Sequence, residues 1–92
     1  MRLPNDLTTD AIAQTIMQRL NERATDGSIC PSEVARALAP DNWRPLMPQV
    51  RAVAAELAKA GTLRITQGSV EIVPETVLRG EFRGPLRLRR RR

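Results

Sequence analysis

Ninety-two residues, 41% of them apolar but with only Trp43 and Phe82 as aromatic rings, allow one small domain with a modest core built mostly from Ala, Leu and Val. The chain has no histidine and a single cysteine, Cys30; this excludes an intramolecular disulfide and removes the commonest general base together with the commonest metal ligand, so neither an enzyme, a zinc site nor a cofactor is expected. Of the 15 basic and 10 acidic residues, seven basic and one acidic lie between Arg79 and Arg92, so a near-neutral body carries a basic end that a polyanion should meet first.

No apolar run reaches the length of a signal h-region or a membrane span, which points to a cytoplasmic protein with no membrane partner. No glycine-rich phosphate loop, dinucleotide fingerprint or nucleophile beside a base is present.

In chain order, residues 1–8 read as an N-terminal arm, 9–78 as the folded domain and 79–92 as a basic tail. The first helix is predicted over Thr9–Ala24: Asp6, Thr8 or Thr9 can cap it, and Ile12, Ile16, Leu20 and Ala24 recur every four residues as an apolar stripe. Asp26-Gly27-Ser28 reads as a turn. A short second helix follows over Cys30–Leu38, with Pro31 in the first turn, where its missing N–H costs nothing, and Glu33 at the positively polarised end. Two prolines three apart, Pro45 and Pro48, predict a tight turn over Asn42–Pro45. A third helix then opens near Met47 or Pro48 and stops at Gly61. Its inward face is Leu46, Val50, Val53, Ala54 and Leu57; Pro48, Ala52, Ala55, Glu56 and Lys59 are placed outward.

Thr62–Val73 reads as a hairpin turning at Gln67-Gly68, which sets Ile65 against Val70, Leu63 against Ile72 and Arg64 against Glu71. Pro74 closes the second strand, and Glu75–Arg79 is expected to be a short turn. In the tail, Leu86 and Leu88 alternate with basic residues and can dock on the body as an added strand, whereas Arg89–Arg92 is expected to be disordered.

Three helices followed at once by a hairpin give an α+β fold in the order of a winged helix-turn-helix domain, whose third helix enters the major groove and whose hairpin wing lies over adjacent backbone. The segments C-P-S-E-V-A-R-A-L, W-R-P-L-M-P-Q-V-R, E-L-A-K-A-G-T-L-R-I-T-Q-G and R-G-P-L-R-L-R resemble a family of small bacterial proteins of unknown function, described as winged-helix-like. That resemblance spans about Ala11–Arg89. It implies the fold and no reaction.

The expected function is therefore a weak nucleic-acid-binding module driven mainly by backbone charge, with DNA or RNA as partner. On the third helix Arg51 and Lys59 are candidate phosphate contacts and Gln49 a candidate base reader, although a sequence-reading helix ordinarily offers more long polar side chains than this one. Arg44 can reach phosphate beside that helix, or pair with an acid such as Asp41 as Arg36 can with Glu33. Arg64 can do so from the wing, against the competing reading of a cross-strand pair with Glu71. Arg87, Arg89, Arg90, Arg91 and Arg92 supply clustered guanidinium groups. Trp43 reads as a packing anchor between the second and third helices, with base stacking as the alternative, and Cys30 as a packing residue at a helix start. The alternative function is an interaction module or homodimer that uses the Ala-rich face of Pro48, Ala52 and Ala55.

Overall fold

Ile12, Ile16 and Leu20 are fully buried, and their four-residue spacing makes the first helix the longest element. It spans Pro4–Asn21 (α1), so it starts earlier and stops sooner than its apolar stripe suggests. Pro4 suits a first-turn position, Asp6, Thr8 and Thr9 lie inside the helix rather than capping it, and Ala24 falls beyond it and is exposed. The structure, a computed structural model, describes residues 4–24 and 27–91, with side chains from Thr8 onward. The rest of the expected arm (Met1–Leu3), Asp26 of the expected turn and Arg92 lie outside the described residues.

A two-residue strand, Ser28–Ile29 (β1), leads into Pro31–Leu38 (α2), with Cys30 at the cap position and Pro31 opening the first turn. Val34 and Ala35 are the buried face of α2, while Leu38 is 37% exposed. A single 3-10 turn at Arg44–Leu46 accommodates the first of the two prolines, and Met47–Lys59 (α3) then begins with Pro48 in its first turn. Gly61 ends α3 with φ +82°, its N–H donating to the Ala58 carbonyl and the Thr62 N–H to the Leu57 carbonyl, the paired bonds of a Schellman stop. Any residue with a Cβ is strained at that φ, so Gly61→Ala is expected to cost about 1–2 kcal/mol in a denaturant titration, with no change of fold.

The rest of the chain departs from three helices and a hairpin. Leu63–Gln67 (β2) and Val70–Ile72 (β3) form the hairpin, Pro74–Leu78 (α4) is a fourth helix, and Arg87–Arg90 (β4) is a fourth strand. The sheet is antiparallel throughout, in the order β1-β4-β2-β3. Its last strand in sequence is thus an interior strand in space. The hairpin is registered two residues away from the expected pairing: Ile65 lies opposite Ile72, Thr66 opposite Glu71 and Gln67 opposite Val70. The turn is therefore Gly68-Ser69, with positive φ at Gly68 only, the pattern of a type II′ hairpin. This register brings two β-branched core residues together, where the alternative would have set Ile65 against Val70, a residue 62% exposed.

Ile29, Leu63, Ile65, Leu86 and Leu88 form the inner face of the sheet and meet Ile12, Ile16 and Leu20 of α1, Val34 of α2, and Val50, Val53, Ala54, Ala55 and Ala58 of α3. Each fully buried Ile, Leu or Val side chain contributes on the order of 2 kcal/mol by leaving water. Leu46 and Leu57, expected inward, are half-buried, whereas Ala55, expected outward, is completely buried. Helix α4 packs against α3, and its Val77 is buried in the same core cluster as Ala55. The connector from α4 to β4 is pinned by the Gln67 side-chain amide, which donates to the Arg83 and Pro85 carbonyls. No helix among the described residues is long and apolar enough to cross a membrane.

Candidate functional site

In an antiparallel ladder, residues directly opposite share a face and successive residues alternate. Since Ile29, Leu88, Ile65 and Ile72 lie on the helix-covered side, their neighbours form the outer face in two cross-strand rows. One row is Ser28, Arg89 and Arg64; the other is Arg87, Thr66 and Glu71. The alternation of Arg87, Leu88 and Arg89 along β4 produces this arrangement: each leucine turned inward sends the flanking arginines outward.

The polar contacts on this face hold the arginines in place. Arg87 donates through Nε to Ser28 Oγ at 2.9 Å, through Nη2 to the Ser28 carbonyl at 3.2 Å and through Nη1 to Cys30 Sγ. Arg89 Nε donates to Thr66 Oγ1 at 3.1 Å. Thr66 is only 2% exposed, flanked in the ladders by Arg87 and Glu71 and bonded by the Arg89 side chain. Arg91, just past β4, reaches two strands across to Glu71 at 2.9 Å. The expected Arg64–Glu71 pair therefore does not form. The shifted register puts Thr66 opposite Glu71 and sets Arg64 opposite Arg89.

Opposed residues in such a ladder have Cβ atoms about 5 Å apart, and like charges there are destabilising. Among the described residues Arg64 has no hydrogen-bond or ion-pair partner. Among the described residues of the two rows, Arg64, Arg87, Arg89 and Arg91 share the face with one carboxylate, Glu71, which is paired with Arg91. Ser28, Cys30 and Thr66, which hold Arg87 and Arg89, are uncharged. Such a surface has one evident chemical capacity, the binding of anions by several guanidinium groups at once.

The other expected contacts are dispersed. Arg90 turns to the opposite side and donates to the Arg23 carbonyl at 3.3 Å, beyond the end of α1. Arg89 and Arg90 belong to β4, which corrects the expectation of a disordered tail from Arg89 onward: Arg89 has ladder partners on both edges and Arg90 on the β2 edge, while Arg91, just past the strand, is held by Glu71. Arg44 stacks on Trp43 at 4.7 Å from the ring centre, and Arg36 at 4.5 Å. Trp43 is half-buried against the core, which matches its reading as an anchor. Glu33 is taken by Arg23 at 2.8 Å rather than by Arg36. Arg51 lies over Phe82 at 5.7 Å. Gln49 lines a groove between α1, α3 and α4, while Lys59 is exposed at the far end of α3.

Of the alternative partner face, Pro48 is exposed and Ala52 partly covered, but the complete burial of Ala55 removes it from any surface. What remains is the groove of about 340 Å³ lined by Ala13, Ala52, Val53, Leu57 and Leu78 among others. Among the described residues, no group of three His, Cys, Asp or Glu side chains comes together to hold a metal ion.

Sequence reasoning missed the roles of Ser28, Cys30 and Thr66 as holders of Arg87 and Arg89. The available signal was the strict alternation from Leu86 to Arg89, which marks a half-buried strand; the partners themselves come from strands about twenty and sixty residues earlier in the chain.

No curated protein matches the sequence. Over residues 9–91, nearly the whole chain, it matches the family described as "Protein of unknown function (DUF3253)", and the chain belongs to that family.

Proposed function

We propose that this is a non-enzymatic, winged-helix-like module that binds nucleic acid weakly, through backbone charge, using the outer face of its sheet. The order of α1, α2, α3 and the β2–β3 hairpin supports the winged-helix reading. The observation that carries the functional reading is the placement of Arg64 directly opposite Arg89 in the ladder. A cross-strand pair that opposes folding is accounted for when a bound anion joins the two charges.

The reading moves the contact away from α3. That helix is flanked by α1 and α4, Arg51 is engaged with Phe82, Ala52 carries no hydrogen-bonding side chain, and the exposed Glu56 repels phosphate. Fluorescence anisotropy with a labelled duplex at low salt tests the assignment. Arg89→Gln is expected to weaken binding severalfold, whereas Gln49→Ala and Lys59→Gln leave it within about twofold, as surface positions outside the contact should. Undetectable binding by the full chain at low salt refutes the function, and a larger loss from the α3 substitutions returns the contact to that helix.

A second reading, an interaction module, is favoured by the apolar groove between α1, α3 and α4, where Leu78 remains 42% exposed. Concentration-dependent sedimentation that Leu78→Glu abolishes would establish it as a self-association surface.

A further inference from the structure

Resting on the reading that the arginine face binds nucleic acid, we infer that its target is the phosphate backbone of a double-stranded nucleic acid rather than an unpaired strand.

Proteins that hold single strands do so chiefly by stacking bases on aromatic rings, with a cationic groove following the backbone. The chain has two aromatic rings, and neither belongs to this face. Trp43 lies at the junction of α2 and α3 with Arg36 and Arg44 over its ring. Phe82 lies in the connector between α4 and β4, beneath Arg51. Both pack against the core.

Arginine planes can substitute for rings when they are free to lie flat on a base. Here they are tethered. The Arg87 guanidinium spends Nε, Nη1 and Nη2 on Ser28 and Cys30, and Arg89 is fixed through Nε to Thr66. Such groups act as positive charges at set positions, about 6.7 Å apart for residues two apart on one strand. Fixed charges without stacking surfaces favour the ligand with the denser phosphate array. A duplex carries one negative charge per about 1.7 Å of axis and releases more counterions per contact than a single strand does.

The number of contacts can be read from the face. Arg64, Arg87 and Arg89 are the three guanidinium groups of the two outward rows, whereas Arg91 is held by Glu71. Three phosphate contacts give a slope of log affinity against log salt of about −2.7 for a B-form duplex and about −2.1 for a single strand. Releasing Arg91 adds a fourth contact and steepens the duplex slope to about −3.6. Glu71 thus acts as an internal competitor for phosphate, and its removal strengthens binding.

The test is anisotropy across a salt series with the full chain and Glu71→Gln, using a short duplex DNA, a duplex RNA of the same sequence and one unpaired strand of it. Binding to duplex DNA, duplex RNA or both, about tenfold or more tighter than to the single strand and with the slopes above, supports the inference and identifies the source of the phosphates. A single strand bound as tightly as the duplexes overturns it while leaving the proposed function standing, as does a Glu71→Gln slope no steeper than that of the parent. If no probe binds at low salt, the function itself falls.

Discussion

A chain ended at Leu78 is expected not to fold. Removing residues 79–92 takes away β4, which pairs with β1 on one side and β2 on the other. It also removes Leu86 and Leu88, which are 4% and 0% exposed. Replacing either leucine by alanine should itself cost about 2–5 kcal/mol, and a domain of this kind has a total stability of about 5–15 kcal/mol. Losing both leucines, the two ladders that hold the sheet together and the Arg89–Thr66 bond exceeds that margin. Circular dichroism during heating should show no cooperative transition for the truncated chain, whereas Leu88→Ala alone should melt cooperatively at a lower temperature. A truncated chain that melts like the full one would show that β4 is dispensable. The basic end is therefore not a detachable affinity tail, and its role in binding must be tested by substitution.

Arg64→Glu is expected to move stability and binding in opposite directions. In the parent, position 64 faces Arg89 across the ladder, and two like charges there oppose folding. A glutamate at position 64 faces the same guanidinium with opposite charge. Since Arg64 has no hydrogen-bond or ion-pair partner among the described residues, the substitution sacrifices no interaction, and a gain of about 0.2–1 kcal/mol in a urea titration is expected. Binding should fall sharply, because one contact is lost and a second, Arg89, is now neutralised; the salt slope drops from about −2.7 to about −0.9. A general loss of structure cannot produce this pair of results. Equal affinity for parent and variant would remove Arg64 from the contact, and a destabilised variant would mean that position 64 is not held opposite Arg89 in solution.

The fold class and most helices are legible in the sequence because their signals are local. The spacing of Ile12, Ile16 and Leu20, Pro31 at a helix start and Gly61 at a helix end each concern a few adjacent residues. The hairpin is also legible, but its register is not. Moving the turn from Gln67-Gly68 to Gly68-Ser69 preserves the alternation, so only the packing of Ile65 against Ile72, and against the helices beyond, selects one pairing. Ala55 is misplaced for a related reason: an alanine stripe does not reveal what will pack on it, and α3 is met by α4, about twenty residues further along, whose Val77 joins Ala55 in the core cluster.

The candidate site illustrates the same division more sharply. The charge of the C-terminal segment and the alternation of Leu86 and Leu88 with arginines belong to the sequence alone, since they depend on residue identity and spacing. Four arginines in the last positions nevertheless read as a solvated tail, because charge-rich composition lacks the apolar area to order itself. That conclusion fails where the missing area and hydrogen bonds come from elsewhere. Tertiary structure places β4 between β1 and β2, gives it ladder partners on both edges and buries Leu88 beneath the arginines. The sequence by itself determined how much positive charge the chain carries and that leucines and arginines alternate near its end. Only the tertiary structure decided that Arg87, Arg89 and Arg91 share one open face with Arg64, because opposing residues in a sheet are chosen by long-range pairing rather than by nearness along the chain.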